Sequence, residues 1–126
     1  MKEEPKKIPR RRPTKEIVYG CRIEDTGLVP VFITGDLFEL WGYHHEEVIG
    51  DSDWWAERLH PDERDEVLDR AKEIFIHGVH THEYRFRHND GSYRWVYDRL
   101  RLVRDGEGRP VEIVGSWLDV TEFKVS

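Results

Sequence analysis

Arg94 and Asp98 are the ionisable side chains whose spacing first indicates chemistry. Both belong to a strand predicted between residues 93 and 103, and an even separation places them on the same face of it. His82, on the preceding predicted strand, lies opposite Asp98 if a three-residue loop joins the two strands. A guanidinium, a carboxylate and an imidazole at one end of a cavity can bind a small carboxylate or amine. They can equally satisfy one another as a buried network without a ligand.

Asp98 and His82 also form a candidate acid–base pair, which gives one alternative function, a small α+β enzyme. The sequence offers no nucleophile, oxyanion donors or metal quartet to accompany this pair, so we predict that the domain itself is not catalytic. His80 and His82 project from one strand face, and with Asp98 they could ligate a metal. Alternation along a strand produces such pairs readily, so we interpret both as solvated histidines and predict no metal site.

Three consecutive antiparallel strands between residues 81 and 121 must position these side chains. Thr81 to His88 and Tyr93 to Val103 alternate with a period of two, which is typical of strands with one buried face. Asn89-Asp90-Gly91 suits a hairpin loop closed by glycine in the left-handed region. This loop fixes the register of the two strands. The predicted facing pairs are Phe86 and Arg94, Tyr84 and Val96, and His82 and Asp98.

The rest of the chain supplies two more strands and a group of helices. Ile17 to Ile23 and Val29 to Thr34 predict a hairpin, and Val111 to Val120 predicts the last strand. Between them lie short helices and one long helix, which is predicted to begin at His60-Pro61-Asp62-Glu63 and to end at Gly78. The order strand, strand, helices and three strands predicts an α+β fold with an antiparallel sheet.

Composition bounds the domain and its location. At 126 residues the chain is predicted to form one domain, at 16–126, and its one cysteine, Cys21, favours a reducing cytoplasmic compartment. Residues 1–15 form a basic leader interrupted by proline, which predicts a flexible segment. Another alternative function is therefore an adaptor that binds nucleic acid or an anionic membrane through this leader. The acidic body argues against nucleic acid, and we expect no such partner.

Six short motifs, in order across residues 16–124, resemble the PAS sensory domain, particularly the bacterial subclass that carries HPDDR before its long helix. They are Leu40-Trp41-Gly42-Tyr43, Glu46-Glu47-Val48-Ile49-Gly50, His60-Pro61-Asp62-Glu63-Arg64, Glu83-Tyr84-Arg85-Phe86-Arg87, Asp90-Gly91-Ser92-Tyr93-Arg94-Trp95-Val96 and Gly115-Ser116-Trp117-Leu118-Asp119-Val120-Thr121-Glu122. The resemblance implies a five-stranded sheet ordered 2-1-5-4-3 with helices on one face. It also implies a sensory or dimerising input domain of a histidine kinase or diguanylate cyclase, with a homodimer partner and a C-terminal output domain.

The same resemblance implies a small-molecule cavity on the inner sheet face. The candidate cavity residues are His82, Tyr84, Phe86, Arg94, Val96, Asp98 and Trp117. The flavin contacts of the light-sensing branch fall at Phe86, Val96 and Trp117, none of which has an amide side chain, so flavin photochemistry is excluded. Haem is disfavoured because the inward stripe of the long helix contains no histidine. The cofactor is therefore left unknown, and a core filled by its own aromatic rings is the alternative to a ligand.

Two further sites follow from the family resemblance. The candidate interface residues on the outer sheet face are Arg85, Tyr93, Trp95 and Tyr97. Arginine and aromatic residues are enriched at interfaces, although an arginine–aromatic ladder on a solvated sheet is the alternative. Asp119 and Thr121 match the family's exit motif. Thr121 is expected to cap a helix that continues into the output domain, and Asp119 is expected to connect that junction to the sheet.

Overall fold

The computed structural model of the chain describes residues 16–124. The predicted basic leader, at 1–15, lies outside the described residues. The strands are β1 (Glu16–Glu24), β2 (Gly27–Thr34), β3 (Val79–Arg87), β4 (Tyr93–Arg104) and β5 (Pro110–Asp119). The helices are α1 (Leu37–Trp41), α2 (His45–Val48), α3 (Arg64–Ala71) and α4 (Ile74–His77), with 3₁₀ turns at Ala56–Arg58 and Thr121–Phe123.

All five strands join one antiparallel sheet in the order β2-β1-β5-β4-β3. Hairpins connect β1 to β2, β3 to β4, and β4 to β5, while the helices lie between β2 and β3 in sequence. The last strand of the chain, β5, therefore sits at the centre of the sheet, beside the first. The predicted α+β class and strand order are confirmed.

The register of β3 and β4 follows from the glycine loop between them. Gly91 has a φ of 93°, in the left-handed region that favours glycine, and its N–H donates to the His88 carbonyl at 2.9 Å. His82 then pairs with Asp98, Tyr84 with Val96, and Phe86 with Arg94, as predicted. Alternate residues on both strands consequently face the helices.

The prediction of one long helix from His60 to Gly78 is wrong. Regular helix begins only at Arg64, and it is interrupted between α3 and α4. At the break, the Lys72 N–H donates to the Asp69 carbonyl and the Glu73 N–H to the Arg70 carbonyl, which are tight three-residue steps. The step changes which side chains face inward. Ile74 is buried, whereas its neighbour Phe75 is 44% exposed.

Aromatic rings fill one half of the interior. Trp41 from α1, Trp54 from the segment before the first 3₁₀ turn, Phe86 from β3 and Trp117 from β5 contact one another, with ring centroids 5.4 to 6.3 Å apart. All four are buried. This half of the interior matches the alternative of a self-filled core.

Gly115 of β5 lies where the Tyr19 ring crosses the sheet, and it leaves no room for a side chain. A Cβ there would lie 2.6 Å from the Arg99 carbonyl oxygen and 2.6 Å from the Tyr19 hydroxyl. Gly115→Ala should therefore lower the free energy of unfolding by about 1–3 kcal/mol, measured by urea denaturation. Gly106→Ala is the matched control, since a Cβ there meets nothing within 4 Å. Equal stability of the two variants would contradict the packing argument.

Candidate functional site

A cavity of about 240 Å³ lies between the inner sheet face and the helices, beside the aromatic cluster. Its helical side is formed by α2, α3, α4 and the Trp54-Trp55 pair, and its sheet side by all five strands. Most of its walls are apolar or aromatic. The residues of its interior include Tyr19, Cys21, Val48, Trp54, Trp55, Val67, Leu68, Ala71, Ile74, His80, His82, Tyr84, Asp98 and Trp117.

Asp98 places a buried carboxylate in this apolar wall; the residue is only 4% exposed. The Tyr19 hydroxyl donates to its Oδ1 at 2.7 Å, and the Tyr84 hydroxyl donates to its Oδ2 at 2.7 Å. Trp55 Nε1 donates in turn to the Tyr84 hydroxyl at 2.9 Å. Tyr19 belongs to β1 and reaches Asp98 on β4 by passing over Gly115 of the intervening β5, its register partner.

Burial dominates the electrostatics of this group. Desolvation raises the pKa of Asp98 to about 6, although the hydrogen bonds from Tyr84 and Tyr19 and the nearby Trp117 indole oppose the rise. Desolvation and then the charge of Asp98 raise the pKa of both tyrosines well above 10.0. The same two causes raise the pKa of Cys21 to about 11. The thiol and both phenols are therefore neutral at physiological pH.

His80 and His82 stand beside Asp98 in the cavity wall. The interpretation of His80 as solvated is wrong, because the residue is only 8% exposed. Desolvation lowers the pKa of both imidazoles, which keeps them neutral near pH 7. Within residues 16–124, His80 Nε2, His82 Nδ1 and Trp54 Nε1 are buried and have no hydrogen-bond partner. Such atoms are rare in folded proteins and point to a missing partner.

The predicted cavity residues divide into two groups. His82, Tyr84, Asp98 and Trp117 line the cavity. Two others, Phe86 and Val96, do not line the cavity because they are buried in the core beside it. Arg94 does not line the cavity either. The predicted Arg94–Asp98–His82 network does not form. Arg94 Nε donates instead to Asp119 Oδ2 at 2.9 Å, because β5 places a second buried carboxylate within its reach.

Asp119 joins three parts of the fold. Its carboxylate accepts from Trp41 Nε1 of α1 at 3.0 Å, from Arg94 Nε of β4, and from the Thr121 backbone N–H at 3.0 Å. Burial alone would raise the pKa of Asp119, but these hydrogen bonds hold it below its usual range. The Thr121 hydroxyl accepts from the Trp95 backbone N–H at 2.9 Å. The Thr121 side chain thus bonds to the backbone of β4, and the helix that it is predicted to cap lies outside the described residues.

The outer sheet face holds the predicted interface residues. The Arg85 guanidinium lies 5.6 Å from the Trp95 ring centroid and pairs with Glu63 Oε2 at 2.9 Å. Glu63 Oε1 also accepts from the Arg85 backbone N–H at 2.9 Å. The Tyr93 ring contacts His60 at a centroid distance of 4.5 Å, and Tyr97 is half-buried. Arg85 is therefore already paired within the domain, so fewer of its N–H groups are left to donate to a partner subunit.

A family model described as the PAS fold matches residues 30–117. The chain belongs to the PAS family. Over 108 residues it is 38% identical to the two-component sensor PprA of Pseudomonas aeruginosa, covering 84% of this chain and 11% of that protein. This PAS chain thus spans about a tenth of the length of the curated relative.

Solved structures agree with the family. The N-terminal domain of a diguanylate cyclase with PAS/PAC sensor from Marinobacter aquaeolei is 25% identical, with a TM-score of 0.78 over 88% of this chain and 100% of that one. A sensory box histidine kinase/response regulator from Burkholderia thailandensis is also 25% identical, with a TM-score of 0.68 over 88% and 81%. The chain is therefore a PAS domain homologous to the sensor domains of signalling proteins.

The enzyme and adaptor alternatives are not favoured by these relatives. Asp98 and His82 both line the cavity, yet Asp98 bonds to Tyr19 and Tyr84. In the part of the chain that the structure describes, no helix is long and apolar enough to cross a membrane.

The raised pKa of Asp98 makes stability depend on pH. The folded carboxyl holds its proton more tightly than the unfolded one, whose usual value is 3.8, so ionisation costs stability as the pH rises from about 4 to about 6. Across that window wild type should lose about 2–3 kcal/mol of unfolding free energy relative to Asp98→Asn, whose amide does not titrate. Urea denaturation at several pH values measures this difference. A constant difference from pH 4 to pH 7 would contradict it.

Proposed function

We propose that this PAS domain senses a small molecule bound in the cavity and passes its occupancy to a C-terminal output domain. The output domain is proposed to be of the histidine kinase or diguanylate cyclase type, as in the relatives. The observation that supports this function best is the cavity itself, which remains open beside a core filled by aromatic rings. Its wall residues include buried polar atoms that lack a partner within residues 16–124.

A chain of direct contacts connects the cavity with the exit motif. Trp117 lines the cavity, and its ring packs 5.9 Å from that of Trp41. Trp41 Nε1 donates to Asp119, and Asp119 accepts from the Thr121 N–H. A ligand that displaces the Trp117 ring would therefore act on the hydrogen bonds of the exit motif. The continuity of these contacts suggests this route, and a measured coupling between ligand binding and output activity tests it.

We further propose that the domain acts as a homodimer in the reducing cytoplasm. Apolar side chains remain exposed on the outer sheet face, with Val18 at 41% and Leu118 at 36%, near the half-buried Trp95 and Tyr97. Aromatic residues of this kind are enriched at subunit interfaces. The location is supported by Cys21, which is a free cysteine in the described residues.

Native mass spectrometry of freshly purified domain tests both the ligand and the dimer. We expect the mass of two chains plus bound small molecule. Ala71→Phe places a large ring in the cavity wall and should abolish ligand retention, whereas Asp69→Phe is the matched control, since its side chain is 82% exposed on the same helix. A ligand-free wild type, even after incubation with a metabolite extract, would contradict sensing. A single-chain mass at all concentrations would contradict the dimer.

Trp41→Phe tests the route to the exit. The substitution keeps an aromatic ring but removes the N–H that donates to the buried Asp119. In the full-length signalling protein, ligand affinity should stay within about twofold, while the ligand-dependent change in output activity should fall by at least about fivefold, the lower end of ordinary allosteric coupling. Affinity and output are measured on the same preparation. A fully retained response would exclude this hydrogen bond from the route.

A further inference from the structure

The deep part of the cavity contains one formal charge, the carboxylate of Asp98. Among the described wall residues, the other charged groups are Asp51 and Lys72, and both are exposed at the mouth. The imidazoles of His80 and His82 are neutral near pH 7 because desolvation lowers their pKa values. The interior therefore has a negative charge without a positive one.

Asp98 also has unused capacity to accept hydrogen bonds. Tyr19 and Tyr84 each donate one hydrogen bond, one to each carboxylate oxygen, while an ionised carboxylate can accept about four. Both donors are neutral phenols. Within residues 16–124 no lysine or arginine forms an ion pair with Asp98, and the arginine predicted to do so, Arg94, pairs with Asp119. A buried carboxylate without a cation is costly, so a cationic ligand would gain the most from this position.

The walls around Asp98 suit an organic cation more than a metal ion. Tyr19 and Trp117 stack at 4.4 Å between ring centroids, and Trp54 and Trp55 face them from the helical side. Aromatic faces attract ammonium groups through the ring quadrupole, and they pack against an apolar body. The volume of about 240 Å³ is below the roughly 300–1,000 Å³ of ordinary ligand pockets, which limits that body to a single ring or a short chain.

We propose that the cavity binds a small monocationic amine, with its ammonium group on Asp98 and its apolar body between the aromatic walls. This inference rests on the proposed sensory function and names its ligand class. It chooses between the two ligand classes that the sequence left open, a carboxylate and an amine. The arginine that a carboxylate would need is bonded to Asp119, outside the cavity wall, whereas the carboxylate that an amine needs is inside it.

Binding of an amine should weaken in acid, because the ammonium pairs with the ionised carboxylate. Affinity is expected to fall by up to about tenfold per pH unit below the pKa of Asp98. The other titratable groups that face Asp98 act in the same direction or not at all. His80 and His82 gain repelling charge in acid, while Tyr19, Tyr84 and Cys21 stay neutral. The remaining charged wall residues, Lys72 and Asp51, lie exposed at the mouth.

Three probes with one phenylethyl body isolate the contribution of charge: 2-phenylethylamine, 2-phenylethanol and 3-phenylpropionate. Titration of the purified chain by calorimetry at pH 7.5 should give at least about tenfold tighter binding of the amine than of the alcohol, and no measurable binding of the carboxylate. Tenfold is the difference between a charge-assisted and a neutral hydrogen bond. Asp98→Asn should remove the preference, whereas Asp51→Asn, a carboxylate at the mouth, should keep it.

The outcomes separate this inference from the proposed function. Alcohol or carboxylate bound as tightly as the amine, or an amine preference that survives Asp98→Asn, would overturn the ligand class and leave small-molecule sensing intact. If no probe binds, the ligand class is overturned; sensing fails as well only if the wild-type domain also retains no ligand in the mass spectrum. If Asp98→Asn does not fold, the pH dependence of amine binding to wild type decides, and an affinity unchanged from pH 7.5 to pH 5 overturns the inference.

Discussion

A carboxylate buried without a cation governs the interior of this PAS domain. Asp98 lies in an apolar wall, where ionisation costs solvation energy that two neutral hydroxyls restore only in part. Those hydroxyls come from Tyr19 on β1 and Tyr84 on β3, so the charge is held across four neighbouring strands of the sheet. The arrangement also requires Gly115, since any Cβ there would meet the Tyr19 ring. A glycine, two tyrosines and one aspartate therefore fix one wall of the cavity together.

The second buried aspartate of the described residues, Asp119, is by contrast hydrogen-bonded and paired with a cation. Asp119 accepts from the Arg94 guanidinium, an indole N–H and a backbone N–H, and its pKa is lowered in spite of burial. Asp98, which has no cationic partner within residues 16–124, has a raised pKa. Arg94, the arginine predicted to pair with Asp98, is thus bonded to the exit motif instead. Asp119 is therefore interpreted as a structural connection, and Asp98 as a site that can still bind a ligand.

Sequence reasoning worked where the determinants are local. Period-two alternation and the glycine of the Asn89-Asp90-Gly91 loop predicted the β3–β4 register, and the six motifs predicted the strand order. Helical spacing predicted one long helix because the spacing of apolar residues does not reveal the break at Lys72 and Glu73. There the backbone N–H groups donate to the carbonyl three residues earlier instead of four. The sequence analysis also did not predict that the Glu63 carboxylate, just before α3, accepts hydrogen bonds from Arg85.

The site was harder to predict because its contacts cross strands. From sequence, Asp98 and Asp119 are equally reasonable partners for Arg94, and only the β4–β5 register brings Asp119 nearer. Tyr19 was missed because its link to Asp98 depends on both the lateral order β1-β5-β4 and the glycine between them. His80 was expected at a solvated strand start, but α4 packs there and buries it.

The proposed ligand chemistry and the proposed signal route meet at Tyr19. A bound ammonium would satisfy the charge of Asp98, and the hydrogen bond from the Tyr19 hydroxyl would then be needed less. The Tyr19 ring stacks on Trp117 at an interplanar angle of 23°, so a change in its position acts on that ring directly. Trp117 contacts Trp41, whose N–H donates to Asp119. On this proposal the pairing of one buried carboxylate with a cation sets the position of the aromatic rings that lead to the exit, because interiors packed this closely do not deform at one residue alone.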